Sequence, residues 1–176
     1  LFALSAGATF IARTFDVDAK GMQEIFKEAV KHKGTSFVEI YQNCNIYNDG
    51  TFSPIYDRAV REDRILKLKD GEPLIFGKNQ NKGIQLEGLK PKVVDLEKVS
   101  NRDYLLRHDQ FSSDSTLANL LSNFNYPEFP VPMGILHQIK NSTYGEIIEN
   151  QIKSQLDKLG EGKLTDLLRG THVWTN

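Results

Sequence analysis

The sequence predicts an α/β fold: half of a parallel, helix-covered layer followed by a long, partly antiparallel α+β extension. Two observations carry that class. A strand, a helix and a second strand follow one another within about 35 residues, the order that makes a parallel βαβ unit. From about residue 62 the texture changes to short β runs separated by turn signals, the mark of antiparallel hairpins.

"ATFIARTF" (8–15) is rich in β-branched and aromatic residues and short enough for a strand. "DAKGMQEIFKEAVKHKG" (18–34) reads as a helix whose apolar stripe is Met22, Ile25, Phe26, Ala29 and Val30. Asp18 is its N-cap, and Lys31, His32 and Lys33 before Gly34 suit the negative end of the helix. "TSFVEIY" (35–41) follows as a buried strand. "RILKLKDGEPLIFGKNQNKGIQLEG" (64–88) breaks at Asp70-Gly71 and at "KNQNKG", which predicts hairpins, and 89–99 adds a further strand. "DSTLANLLSNF" (114–124) is a short helix capped by Asp114. Pro127, Pro130 and Pro132 keep 126–136 extended. Thr143 and Glu146 form a capping box for a last helix, 144–159, striped by Tyr144, Ile147, Ile148, Ile152, Leu156 and Leu159. The tail after Gly160 is ambiguous, and no internal repeat is visible.

Composition narrows the function classes. With 39% hydrophobic and 26% charged residues, the 176-residue chain is an ordinary globular protein with room for a sizeable core. Its net charge of −1 offers no basic excess for nucleic acid or an anionic membrane. One cysteine makes no internal disulfide, and no apolar run approaches the ~18 residues of a membrane span. Asn141-Ser142-Thr143 fits a glycosylation acceptor but reads more simply as a helix start. These features point to the cytoplasm. The opening "LFALSAGATF" is already apolar and rich in Gly and Ala, like the inside of a domain. Leu1 is therefore expected to be a cut point.

The single cysteine, Cys44, lies in "YQNCNIYNDGTF" (41–52), directly after the second strand. It could be a core thiol, a nucleophile or one ligand of a metal site. Its place past the C-terminal end of a parallel strand, where open α/β sheets put their ligands, raises the functional readings. A nucleophile needs a base beside it. His32 sits at a helix terminus, and His108, His137 and His172 lie in no recognisable catalytic context. No Gly-rich phosphate loop is present, since "NDGTF" and "KDGEP" are turn signals. No CxxC or HxxxH pair completes a metal site. The charges of 57–72 read as a solvated face.

A resemblance adds to this reading. "GATFIAR" (7–13), "HKG" (32–34) and "VEIYQNCNIYNDGTF" (38–52) resemble the β subunit of 2-oxoacid:ferredoxin oxidoreductases, a thiamine-diphosphate family. The resemblance continues through "LKDGEPLIFG" (68–77), "GIQLEG" (83–88), "HDQ" (108–110) and "EFPVPMGIL" (128–136), nearly the whole chain. The strand–helix–strand–Cys pattern is the specific part. The "CxIxNDG" form and the long extension resemble the 2-oxoglutarate branch.

The resemblance implies that residues 1–60 are the C-terminal half of a thiamine-diphosphate-binding domain and 61–176 the C-terminal extension of the subunit. In that family the β subunit binds thiamine diphosphate and Mg2+ on a GDG…N motif and carries one 4Fe–4S cluster. Three cluster cysteines come from earlier in the subunit and the fourth from a Gln-x-Cys turn. Gln42-Asn43-Cys44 matches that turn, which makes Cys44 the implied fourth ligand. Position 43 is Asn where many members have Pro or Asp. The GDG…N motif and the CxxC pair do not occur in this chain, so the chain alone is expected to be inactive. The implied activity is oxidative decarboxylation of a 2-oxoacid to its acyl-CoA, with electrons passed through the cluster to ferredoxin. The implied partners are an α subunit, ferredoxin, coenzyme A and the 2-oxoacid, with no nucleic acid and no membrane. Two other readings differ upstream: half of a cluster-free thiamine-dependent enzyme, and a subunit-assembly module.

Overall fold

A computed structural model describes residues 1–99 and 101–170. The chain forms two compact units, Leu1–Asn141 and Ser142–Asn176. The first unit opens with one helical turn, α1 (Phe2–Ser5), before β1 (Phe10–Phe15), α2 (Ala19–Lys31) and β2 (Ser36–Tyr41). Two short turns, α3 (Ser53–Tyr56) and α4 (Arg61–Arg64), lead to β3 (Ile65–Lys67). β4 (Ile75–Phe76), β5 (Lys82–Glu87) and β6 (Lys90–Asp95) follow, then α5 (Thr116–Ser122) and β7 (Val131–Gln138).

β1 and β2 pair in parallel across α2, as the βαβ pattern predicts, with Phe10 opposite Ser36 and Phe15 opposite Tyr41. The sheet order is β2-β1-β7-β3; β7 runs antiparallel to β1 and parallel to β3. The second sheet, β4-β5-β6, is antiparallel throughout.

All six residues of β1 are buried, so both faces of this strand are core. Alternation sends Phe10 and Ala12 towards Ile25 and Ala29 of α2. Ile11 faces the other way, into the main core with Leu66, Ile84, Leu121, Phe124 and Leu136. Phe15 anchors a smaller cluster with Val131 and Met133, bordered by Tyr41 and Tyr56.

Four expectations are corrected. β2 is an edge strand with Ser36, Phe37 and Ile40 exposed, because the sheet order ends there. The α2 stripe is only partly core: Ile25 is buried, whereas Val30 is 86% exposed. The helix packs over β1, so its outer flank faces away from the sheet. β3 does not join a hairpin; its fully buried Leu66 completes the main core alongside β7. Asp114 lies one residue before the α5 N-cap, Ser115, and its carboxylate accepts from the Thr116 backbone N–H at 2.8 Å. Asp18 is the N-cap of α2 as expected, accepting from the Gly21 N–H at 3.0 Å.

The second unit holds α6 (Tyr144–Leu159) and α7 (Leu164–Arg169). Both bonds of the predicted capping box are made: Glu146 N–H donates to Thr143 Oγ1 at 3.3 Å, and Thr143 N–H to Glu146 Oε2 at 3.0 Å. α7 resolves the first part of the ambiguous tail. His172 lies outside the described residues. Among the described residues no helix is long and apolar enough to cross a membrane.

Candidate functional site

β1 and β2 both end at one edge of the sheet, and the chain leaving β2 there forms the loop of residues 42–52. Tyr41, the last residue of β2, fixes the root of that loop. Its ring stacks on Phe52 at 4.5 Å and meets Phe15 edge-on at 5.8 Å. Burial pushes the Tyr41 phenol up, with Arg13 pulling it back and Glu39 reinforcing the rise. The loop thus starts and closes on one aromatic stack.

Asn43 organises what lies between. Its side-chain carbonyl accepts from the Gly50 N–H at 2.8 Å, and its amide donates to Asn45 Oδ1 at 2.6 Å and Asp49 Oδ1 at 2.8 Å. Its backbone N–H donates to Asp16 Oδ2 at 3.4 Å, tying the loop to the end of β1. Gly50 closes the circuit at φ +74°, a left-handed conformation that a residue with a Cβ adopts only at a cost. The Asn48 N–H donates to the Cys44 carbonyl at 3.0 Å.

Cys44 stands inside this loop, and its thiol is exposed. The backbone amides of Tyr47 and Ile46, and less so of Asn48, hold the thiol below its ordinary value. Hydrogen bonds to sulfur favour the thiolate, the form that binds metals. Ile46 and Tyr47 flank it with exposed apolar side chains, 85% and 90% accessible.

The histidines lie towards the other end of β1. His32 shares a hydrogen bond with Thr9 Oγ1 at 2.8 Å, and His137 pairs in register with Ile11. His108 donates from Nε2 to the Ile135 carbonyl at 2.7 Å, which leaves Nδ1 buried without a partner. Burial lowers all three below the ordinary imidazole value. A cysteine nucleophile with one of these as its base has no geometry here. Nor do three His, Cys, Asp or Glu side chains converge on one point among the described residues, so Cys44 would serve a metal as a single donor.

Sequence reasoning placed Cys44 and missed its supports. Asn43 and Asp16 do the organising, and the available signal was the density of turn-forming polar residues in "NCNIYNDG".

The exposed thiol thus lies in the loop past the C-terminal edge of a parallel βαβ unit. The chain is homologous to part of the β subunit of 2-oxoacid:ferredoxin oxidoreductases. It is 32% identical over 176 residues to 2-oxoglutarate oxidoreductase subunit KorB of Mycobacterium tuberculosis, covering 98% of this chain and 47% of that protein. The 2-oxoacid:ferredoxin oxidoreductase subunit beta of Saccharolobus solfataricus is 43% identical over 58 residues, 33% of this chain and 19% of that protein. The chain therefore spans about half the length of the M. tuberculosis subunit. A solved 2-oxoglutarate:ferredoxin oxidoreductase from Magnetococcus marinus, with 2-oxoglutarate, coenzyme A and succinyl-CoA bound, shares the fold. It superposes with a TM-score of 0.53 at 20% identity, over 95% of this chain and 41% of that one. No protein-family model matches.

Proposed function

We propose that the chain is the C-terminal part of the β subunit of a 2-oxoacid:ferredoxin oxidoreductase of the 2-oxoglutarate branch, with Cys44 as one of four thiolates on a 4Fe–4S cluster. Residues 1–60 are then the end of the thiamine-diphosphate-binding domain and 61–176 its extension. The complete enzyme would convert a 2-oxoacid to its acyl-CoA and reduce ferredoxin, in the cytoplasm, with an α subunit as partner. The observation that carries the site is the sulfur of Cys44, exposed in the loop that leaves β2 past the C-terminal end of the parallel pair.

The donor chemistry fits. A thiolate is the soft ligand that iron–sulfur clusters require, and hydrogen bonds to cluster sulfurs set their potential. When bound, the cluster supplies one-electron transfer. Cys44 would hold it, and the amides of 46–48 would lie beside it. The Asn43 bonds keep those amides in place. Thiamine diphosphate and Mg2+ do not fit this chain: the GDG…N motif is absent from its sequence, and no metal-ligating trio occurs among the described residues. In this reading those groups are held elsewhere in the complete subunit.

Cys44→Ser tests the assignment in the complete subunit, purified without oxygen. Expected are fewer than the four irons of an intact cluster, loss of its visible absorbance, and collapsed ferredoxin reduction. The fold should be untouched, because an exposed side chain contributes within about 0.5 kcal/mol. Full iron content with unchanged electron transfer would make Cys44 an incidental surface thiol.

A further inference from the structure

The sequence contains two Asp–Gly steps, Asp49–Gly50 and Asp70–Gly71. Such a step is prone to a reaction that needs no enzyme. The glycine nitrogen attacks the aspartic acid Cγ, so an N–Cγ bond forms and a Cγ–O bond breaks. The hydroxyl leaves as water with the hydrogen of the nitrogen. Water then opens the cyclic imide at either carbonyl, returning aspartate or giving an isoaspartate whose main chain runs through Cβ. Glycine favours the attack because, without a Cβ, its backbone moves and approaches freely.

The nitrogen attacks along the direction that its hydrogen occupied. At Gly50 that direction is taken, because the N–H donates to Asn43 Oδ1 at 2.8 Å. The other end of the same amide, Asn43 Nδ2, donates to Asp49 Oδ1 at 2.8 Å and to Asn45 Oδ1 at 2.6 Å. One side chain thus holds both the nucleophile and the carboxyl group that it would attack. Which way the amide points follows from its partners, one an N–H donor and two of them oxygens. Asn43 is itself tied to the end of β1 through its backbone N–H, which donates to Asp16 Oδ2 at 3.4 Å.

We infer that Asp49–Gly50 is a latent isoaspartate site and that the Asn43 side chain holds it shut. The Gly50–Asn43 bond breaks before the nitrogen can turn to Cγ. A hydrogen bond of ordinary net strength makes that open conformer roughly two- to tenfold rarer, which is the protection expected. The product would add a carbon to the main chain inside the loop that carries Cys44, next to the Asn48 N–H that donates to the Cys44 carbonyl at 3.0 Å. Asp70–Gly71 is held by other groups: the Gly71 N–H donates to the His108 carbonyl at 2.8 Å, and Asp70 Oδ1 accepts from the Gln110 N–H at 3.0 Å. It is an internal gauge, since neither bond involves Asn43. This inference does not rest on the cluster assignment at Cys44.

The full chain, incubated at neutral pH and body temperature in heavy-oxygen water and then mapped by peptide mass spectrometry, tests it. Each passage through the imide brings a heavy oxygen into the aspartate, and isoaspartate peptides separate chromatographically. The folded parent should react more slowly at Asp49 than the same chain unfolded in guanidinium chloride. Asn43→Ala should speed labelling at Asp49 roughly two- to tenfold and leave Asp70 as in the parent. Tyr47→Ala, in the same loop but outside these bonds, should match the parent at both steps. A variant that unfolds speeds both steps; in that case Asn43→Ser, whose hydroxyl cannot span Gly50 and Asp49 together, decides the matter. Labelling at Asp49 that is unchanged by removing the Asn43 amide in a folded variant would overturn the inference. So would equal acceleration in Tyr47→Ala, or a folded parent that reacts at Asp49 as fast as the unfolded chain.

Discussion

The two ends of the β1–β2 pair differ far more than the strands' sequences do. Where the strands begin, Thr9, Phe10, His108 and His137 are all at most 4% exposed. Where they end, the loop from Gln42 to Phe52 puts Cys44, Ile46 and Tyr47 in solvent. The start of β1 is packed by side chains from several elements, whereas the loop beyond the other end is held by a lattice of local hydrogen bonds. A rigid end and an open end on the same two strands let a ligand-bearing loop be exposed without being loose.

Truncation breaks the comparison most directly. Phe10 is fully buried between the sheet and α2, with His32 at 5.4 Å ring to ring. Phe10→Ala should cost about 3–5 kcal/mol through lost burial and a cavity that cannot fully collapse. Tyr47→Ala at the open end, where the ring is 90% exposed, should change stability by no more than about 0.5 kcal/mol. Urea unfolding of both variants measures the contrast; similar costs would mean that the loop is part of the cooperative core.

Acid should find the same asymmetry. Burial is the main force holding folded His108 below its ordinary value, opposed by its bond to the Ile135 carbonyl and by Asp70 and Asp109. In the unfolded chain the same imidazole titrates near about 6.5. Between the folded value and about 6.5 the unfolded state binds the extra proton, so stability falls as pH drops through that window and is fully present above it. His32 and His137 act in the same direction. His108→Gln keeps a donor for the Ile135 carbonyl and cannot titrate. Its unfolding midpoint should depend less on pH below about 6.5 than that of the parent. An unchanged pH slope would show that His108 is not held neutral by its burial.

The sequence made the closed end's elements legible and the open end's chemistry only partly so. The βαβ unit and the capping box at Thr143 were readable because they rest on local periodicity and on contacts within four residues. The exposure of β2 was not, since "SFVEIY" and "FIARTF" are both apolar runs and only the sheet order makes one of them an edge. The pairing of β3 with β7 joins residues 66 positions apart, beyond any local signal. Cys44 could be placed at the strand end, but the exposure of its thiol is a matter of loop conformation. Arg13 gave no sign of burial, because an arginine in a strand ordinarily faces water.

The smallest effect bears on what holds the open end together. Asn43 makes three side-chain hydrogen bonds, to Gly50, Asn45 and Asp49, all within seven residues. Asn43→Ala removes them together. Because the loop is exposed, water replaces most of what is lost, and the global cost should be about 1 kcal/mol or less. The local consequence should be larger than the global one. The Gly50 amide loses its acceptor, and the Asn48 amide loses the loop geometry that aims it at the Cys44 carbonyl. Hydrogen exchange should therefore speed up at 46–50 while amides of β1 stay protected as before. If exchange at 46–50 is unchanged, the aromatic stack of Tyr41 on Phe52 suffices to shape the loop. Acceleration spreading into β1 would instead mean that the two ends unfold as one.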